Sequence, residues 1–150
     1  YIGCDEYFFG KDLLVCPLTL EDGTSREVYL PEGNWYNFFT GEKIEGGRRL
    51  VLEADWNEML VFARDGALVP VAEPVICVTE DTVFNITVKS FGTNKTGSCV
   101  LYEDDFVSFN YESLVAKKQI NVTVGDNGKF IVSGAKTSTK YHFLNCIVKD

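Results

Sequence analysis

The sequence predicts an all-β chain of antiparallel β-sandwich architecture, a proximal sandwich followed by a smaller distal one. Three observations predict it. Apolar residues recur in short runs with period-2 alternation. Glycine, proline, asparagine and aspartate interrupt those runs at short intervals. No segment sustains a 3.6-residue apolar period over three turns, and many short strands without intervening helices argue for sandwiches.

Taken in order, Tyr1–Phe9 has room for a short helical piece. Strands are expected at Leu13–Leu18, Arg26–Leu30, Trp35–Phe39, Arg49–Leu52, Met59–Ala63 and Ala67–Val71. A second set follows at Val83–Phe91, Ser98–Tyr102, Gln119–Val124, Lys129–Ser133 and Tyr141–Val148, with Phe106–Tyr111 as one more. Glu53–Leu60 could close a single helical turn. In Val83–Lys89 the members Phe84, Ile86 and Val88 point inward. In Gln119–Val124, Ile120, Val122 and Val124 point inward while Asn121 and Thr123 face solvent. Glu21-Asp22-Gly23 and Pro31-Glu32-Gly33-Asn34 supply a preset φ and a left-handed position for turns. Gly125-Asp126-Asn127-Gly128 joins two alternating runs and reads as a hairpin loop.

A division into residues 1–75 and 76–150 is expected, with the seam within 70–82, where Pro70 and Pro74 fall. Charge supports it. The net charge of −8 resides in the first half, with 14 acidic and 6 basic side chains; the second half holds 8 of each. All four arginines (Arg26, Arg48, Arg49, Arg64) lie in the first half. With 45% hydrophobic residues the chain has material for a packed core. So acidic a chain is a poor partner for nucleic acid or an anionic membrane, and no stretch is long enough to span a bilayer. The first residue is Tyr1, so the chain reads as a piece of a longer polypeptide.

Catalytic raw material is sparse. The five cysteines (Cys4, Cys16, Cys77, Cys99, Cys146) form no C-x-x-C pair and the only histidine is His142. A zinc site is therefore not expected, and the cysteines read as buried free thiols in apolar strand contexts. His142, within an alternating apolar strand, reads as a core or partly buried histidine. No G-x-S-x-G elbow is present, and one histidine leaves little room for a triad. The acidic groups Asp5-Glu6, Glu21-Asp22 and Glu103-Asp104-Asp105 are the remaining material. Glycosidases of the retaining type need two carboxyls about 5–5.5 Å apart across a pocket. Neighbours on a strand point to opposite faces and do not converge on one bond. Glu103–Asp105 reads as a solvated turn, with an oxygen-rich calcium site as the alternative. Sequons begin at Asn85, Asn94 and Asn121.

The most distinctive stretch is Trp35-Tyr36-Asn37-Phe38-Phe39. On one continuous strand, Trp35, Asn37 and Phe39 would share a face, with Tyr36 and Phe38 on the other. A sugar-stacking surface needs exposed rings. Rings on two faces suit packing better. Arg48, Arg49 and Arg64 are placed to stack on or pair near this cluster.

Four segments carry a family resemblance. Tyr7-Phe-Phe-Gly-Lys-Asp-Leu-Leu-Val-Cys-Pro17 is similar to "F-G-x-D-L-L-V-A-P". Val28-Tyr-Leu-Pro-Glu-Gly-Asn-Trp-Tyr-Asn-Phe-Phe-Thr-Gly41, followed by Gly46-Gly47, is similar to "Y-L-P-x-G-x-W-Y-D-x-W-T-G". Leu60-Val-Phe-Ala-Arg-Asp-Gly-Ala-Leu-Val-Pro70 is similar to "P-V-F-V-R-A-G-A-I-I-P". Leu101-Tyr-Glu-Asp-Asp105 resembles "L-Y-E-D-D-G", with Phe106 in place of the glycine. Order and spacing resemble the C-terminal region of glycoside hydrolase family 31, which includes α-glucosidases and α-xylosidases. The match is close over residues 7–70 and looser over 98–111.

The resemblance implies a parent with a (β/α)8 catalytic barrel followed by two β-sandwiches, its two catalytic carboxylates lying on barrel strands. This chain would then hold no catalytic residue, cofactor or metal. It would act as a noncatalytic accessory region whose partner is the barrel. The alternative is a carbohydrate-binding sandwich using Trp35, Tyr36 or Trp56 as exposed stacking rings. A third reading is an interaction domain with no sugar role.

Overall fold

The computed structural model describes residues 5–19, 24–55, 57–92, 96–102, 109, 117–124, 130–133 and 140–149. Among them no helix occurs, and eight strand pairs run antiparallel. The fold is the expected all-β sandwich class. The chain divides into two compact units, one comprising Tyr1–Ala67, Phe91–Thr93 and Lys149–Asp150, the other Leu68–Ser90 and Asn94–Val148.

The first unit contains β1 (Tyr7–Phe9), β2 (Leu13–Cys16), β3 (Ser25–Leu30), β4 (Asn34–Asn37), β5 (Lys43–Glu45), β6 (Arg48–Glu53) and β7 (Leu60–Arg64). Five of these form one sheet in the order β1-β2-β7-β4-β5, while β3 and β6 pair separately. Alternation decides which residues fill the space between the two sheets. Leu14 and Cys16 of β2, Leu60 and Phe62 of β7 and Trp35 of β4 meet Val28 and Leu30 of β3. Partly buried Ile44, Leu50 and Leu52 close the same cluster. Burying each such side chain contributes about 1.5–3 kcal/mol, so this cluster is the main source of the unit's stability.

The opposite face of the large sheet is also buried at its centre. Val15 opposes Val61, and Tyr36 opposes Ala63. All four are buried. Phe91 joins them, its ring 6.4 Å from Tyr36 and 5.7 Å from Phe38. The Phe91 segment is tied in by Phe91 N–H to Ala67 O (3.0 Å) and Gly66 N–H to Phe91 O (2.9 Å). Gly92 follows with φ +81°, and a Cβ there would sit 1.7 Å from an Asp65 carboxylate oxygen. Any other residue would be strained at that φ and would have to displace the Asp65 carboxylate.

Three expectations are corrected. Tyr7–Phe9 is not helical; it is the edge strand β1, paired with β2 from Tyr7↔Val15 to Phe9↔Leu13. Glu53–Leu60 forms no helix among its described residues, although Glu58 N–H to Asp55 O (2.8 Å) closes a single turn there, and Lys43–Glu45 adds a short strand the alternation did not reveal. The strand at Trp35 ends at Asn37, because the Asn37 side-chain oxygen accepts the N–H groups of Phe39 (2.9 Å) and Thr40 (3.0 Å). That Asx turn takes Phe39 out of the strand's alternation, while Phe38, its N–H bonded to Val61 O (2.9 Å), shares the Tyr36 face as expected and packs on Phe91.

The second unit contains β8 (Leu68–Ala72), β9 (Phe84–Phe91, less its last residue), β10 (Thr96–Tyr102), β11 (Lys117–Val124), β12 (Phe130–Ser133) and β13 (Tyr141–Lys149, again less its last residue). They form two three-stranded sheets, β13-β9-β8 and β10-β11-β12. Phe84, Ile86 and Val88 point inward as expected, and meet Leu68, Leu101, Tyr141, Phe143 and Cys146. Phe84 and Tyr141 stack with centroids 6.2 Å apart. The side chains of Asn121 and Thr123 and the loop Gly125–Gly128 lie outside the described residues, as does the expected strand Phe106–Tyr111 apart from Phe109.

The loop before β4 tests this account of the first unit. Gly46 N–H donates to Gly33 O (2.7 Å) and Gly47 N–H to Leu30 O (2.8 Å). A Cβ on Gly46 would lie 1.9 Å from the Pro31 carbonyl oxygen, whereas one on Gly10 (φ +67°) would meet nothing within 4 Å. Gly10→Ala should cost only the left-handed penalty of about 1–2 kcal/mol. Gly46→Ala must displace backbone and should cost more, above about 2 kcal/mol. Urea unfolding followed by circular dichroism reads both; equal costs would contradict the packing described.

Candidate functional site

Of the three aromatics considered for glycan contact, Trp35 is 1% exposed and Tyr36 is 2% exposed. Trp56 lies outside the described residues. The Trp35 indole N–H donates to Pro31 O at 2.8 Å, so the one polar atom of the ring is satisfied inside the protein. Its ring lies 6.1 Å from Phe8, and the Arg64 guanidinium sits 5.3 Å from the Trp35 ring centroid and 5.6 Å from that of Phe8. Neither Trp35 nor Tyr36 presents a face to solvent in this chain.

The carboxylates are bound into the scaffold. Arg26 stands on the inward side of β3, in register with Val28 and Leu30, and is 8% exposed. It ion-pairs with Asp5 at 3.0 Å and donates to the carbonyls of Asp5, Pro17 and Glu27. An alternation pattern treats arginine as outward, so this anchor was not legible in advance. Glu6 accepts the Tyr29 N–H with both oxygens at 3.3 Å and faces the Cys16 sulfur at 3.7 Å. Glu27 pairs with Arg49 at 2.7 Å on the exposed side of the two-stranded sheet. Arg48 donates to Glu45 O at 3.3 Å. These contacts pin the segment before β1 onto β3; they do not aim two carboxyls at a common point. Glu21-Asp22 and Glu103–Asp105 lie outside the described residues.

In the second unit a polar row links Glu73, just past β8, to β9 and β13. Asn85 donates its side-chain N–H to Glu73 at 2.8 Å, which turns its oxygen toward His142 Nδ1 at 3.3 Å. His142 is exposed, because the register of β13 sends its neighbours Tyr141 and Phe143 to the core. The sequon at Asn85 thus has its amide engaged; Asn94 and the Asn121 side chain lie outside the described residues. Among the described residues no three His, Cys, Asp or Glu side chains converge as a metal site.

Three cysteines are described as free: Cys16 buried, Cys146 half-buried and Cys77 exposed. The exposed position of Cys77 corrects the expectation of uniform burial. Burial, reinforced by the negative charge of Glu6, pushes the Cys16 thiol up to about 12; burial also raises Cys146. A thiol whose folded value lies above its unfolded one stays protonated longer in the native state, so its contribution to stability is present below about pH 9 and is lost toward about pH 12. At pH 8 iodoacetamide should therefore modify Cys77 at least about 100-fold faster than Cys16 in the folded chain. Peptide mass spectrometry reads the two rates; comparable labelling of Cys16 would contradict its burial against Glu6.

Comparison with known proteins bears on what these parts belong to. Residues 2–69 match the family model for the glycosyl hydrolase family 31 C-terminal domain. A 1,6-α-glucosyltransferase from Sporosarcina globispora is 33% identical over 141 residues, covering 90% of this chain and 11% of that protein. An α-xylosidase from Saccharolobus solfataricus is 35% identical over 109 residues, covering 72% of this chain and 15% of that protein. Among solved structures, an α-xylosidase of the same family from Xanthomonas citri superposes with a TM-score of 0.72 at 29% identity, covering 97% of this chain and 16% of that one. A dextranase of that family from Flavobacterium johnsoniae gives 0.71 at 30% identity over 85% of this chain and 16% of its own. The chain spans 11–15% of the length of these curated relatives. In sequence and in fold alike, this chain is the C-terminal β-sandwich region of glycoside hydrolase family 31.

Proposed function

We propose that the chain serves as the noncatalytic C-terminal accessory region of a larger α-glycosidase, bracing a (β/α)8 barrel and helping to hold its loops. The observation that carries this reading is the match of residues 2–69 to a domain defined as C-terminal, in a chain that covers 11% of a relative of the same family. The chemistry supports it. The carboxylates Asp5, Glu6 and Glu27 are engaged in structural contacts, and Trp35 and Tyr36 fill cores.

A bracing role also accounts for an exposed aromatic edge. Strand β1 ends the five-stranded sheet with Tyr7 51% and Phe9 68% exposed, both on the face opposite Trp35. Open strand edges carrying large apolar residues are normally covered. The barrel of the parent is the proposed cover. In this reading the substrate belongs to the parent, which would hydrolyse an α-glycosidic bond with carboxylates outside this chain.

Purified residues 1–150 should release no nitrophenol from aryl α-glucosides or α-xylosides above the uncatalysed rate. Turnover at enzymatic rates would end the proposal. Sedimentation velocity should show self-association growing with concentration, abolished by the double substitution Tyr7→Ser and Phe9→Ser. A strictly monomeric wild-type profile at high concentration would contradict the role assigned to that edge.

A further inference from the structure

Arg64 stacks on two rings and joins no ion pair among the described residues. It is the last residue of β7, exposed, with its backbone fixed by an N–H bond to Asp12 O at 2.9 Å and by register with Trp35. Its guanidinium lies over two rings, 5.3 Å from the Trp35 centroid and 5.6 Å from that of Phe8. Trp35 is buried in the core, while Phe8 is 46% exposed. Stacking therefore holds a planar cation at the surface beside a half-open aromatic ring.

The donors of that cation are left over. Among the described residues the ion pairs are Lys11–Asp12, Arg26–Asp5 and Arg49–Glu27; Arg64 takes part in none. It does so in a half-chain with 14 acidic and 6 basic side chains, where carboxylates are abundant. A stacked guanidinium has already lost the rotamer freedom that a long cation gives up on binding, and its edge matches a carboxylate bidentately.

We infer that Arg64, stacked on Trp35 and Phe8, is a docking point for an Asp or Glu side chain on the part of the parent polypeptide outside residues 1–150. The apolar portion of the same segment covers Phe8. This inference rests on the bracing role proposed above. The relatives supply the room for such a segment, since the matched region is 11–16% of their length.

The test compares the isolated chain with the full-length parent. Phenylglyoxal should label Arg64 at least about tenfold more slowly in the parent. Arg49, held by Glu27 in the first unit, should label equally in both and serves as the control. In the parent carrying Arg64→Lys, carbodiimide coupling should join position 64 to an Asp or Glu outside residues 1–150, identified by mass spectrometry. Equal labelling of Arg64, or protection without such a link, overturns the inference. Protection of Arg64 in the isolated chain by isomaltose also overturns it and assigns the donors to sugar hydroxyls. Failure of the bracing role is separate: calorimetry of the parent would then show the two regions melting independently, whereas a single cooperative transition with an unprotected Arg64 rejects the docking point alone.

Discussion

The first unit depends on the burial of one indole. Trp35 reaches across from β4 into the space that β3 and β6 close, and its N–H is satisfied by Pro31 of the turn that brings the chain into the strand. That single bond links packing to turn geometry. The Pro31–Asn34 turn must adopt its shape for the ring to be dry and paired, and the ring must be in place for the turn to have its acceptor occupied. A buried indole without that partner would carry an unsatisfied donor costing about 1–3 kcal/mol. Phe8 and Arg64 complete the enclosure from the far side, so β1 and β7 are also positioned against the same ring.

This arrangement explains a division of labour among the aromatics. Consecutive residues on β4 serve opposite faces of one sheet: Trp35 the inter-sheet core, Tyr36 the face packed by Phe91. Asn37 then ends the strand with its own side chain; Phe38 stays against Phe91 on the Tyr36 face, and Phe39 turns away. A run of four aromatics in five positions thus becomes two cores and a turn.

Much of this was legible in the residues. Period-2 alternation located eleven of the strands to within a few residues and set the inward members of β9, because a half-buried strand must alternate. The elements that escaped share a physical cause. In Lys43–Glu45 a single apolar residue, Ile44, stands between two charges, too short a pattern to show a period. Tyr7–Phe9 is apolar at every position, so its pairing with β2 is decided by the partner and not by its own pattern. Arg26 occupies an inward position because Asp5 and three carbonyls await it, a long-range arrangement that local patterning does not contain. For the candidate site, stacking of Arg64 near the cluster was readable, but its second ring, Phe8, was not.

The central claim is that the Trp35 run supports a sandwich and is not a surface for sugar. Tryptophan fluorescence of the Trp56→Phe variant isolates Trp35 and tests this directly. The account predicts blue-shifted emission, weak acrylamide quenching and no saturable change on titration with isomaltotriose or xyloglucan oligosaccharides. Solvent-like emission with efficient quenching, together with a saturable response to either sugar, would contradict it.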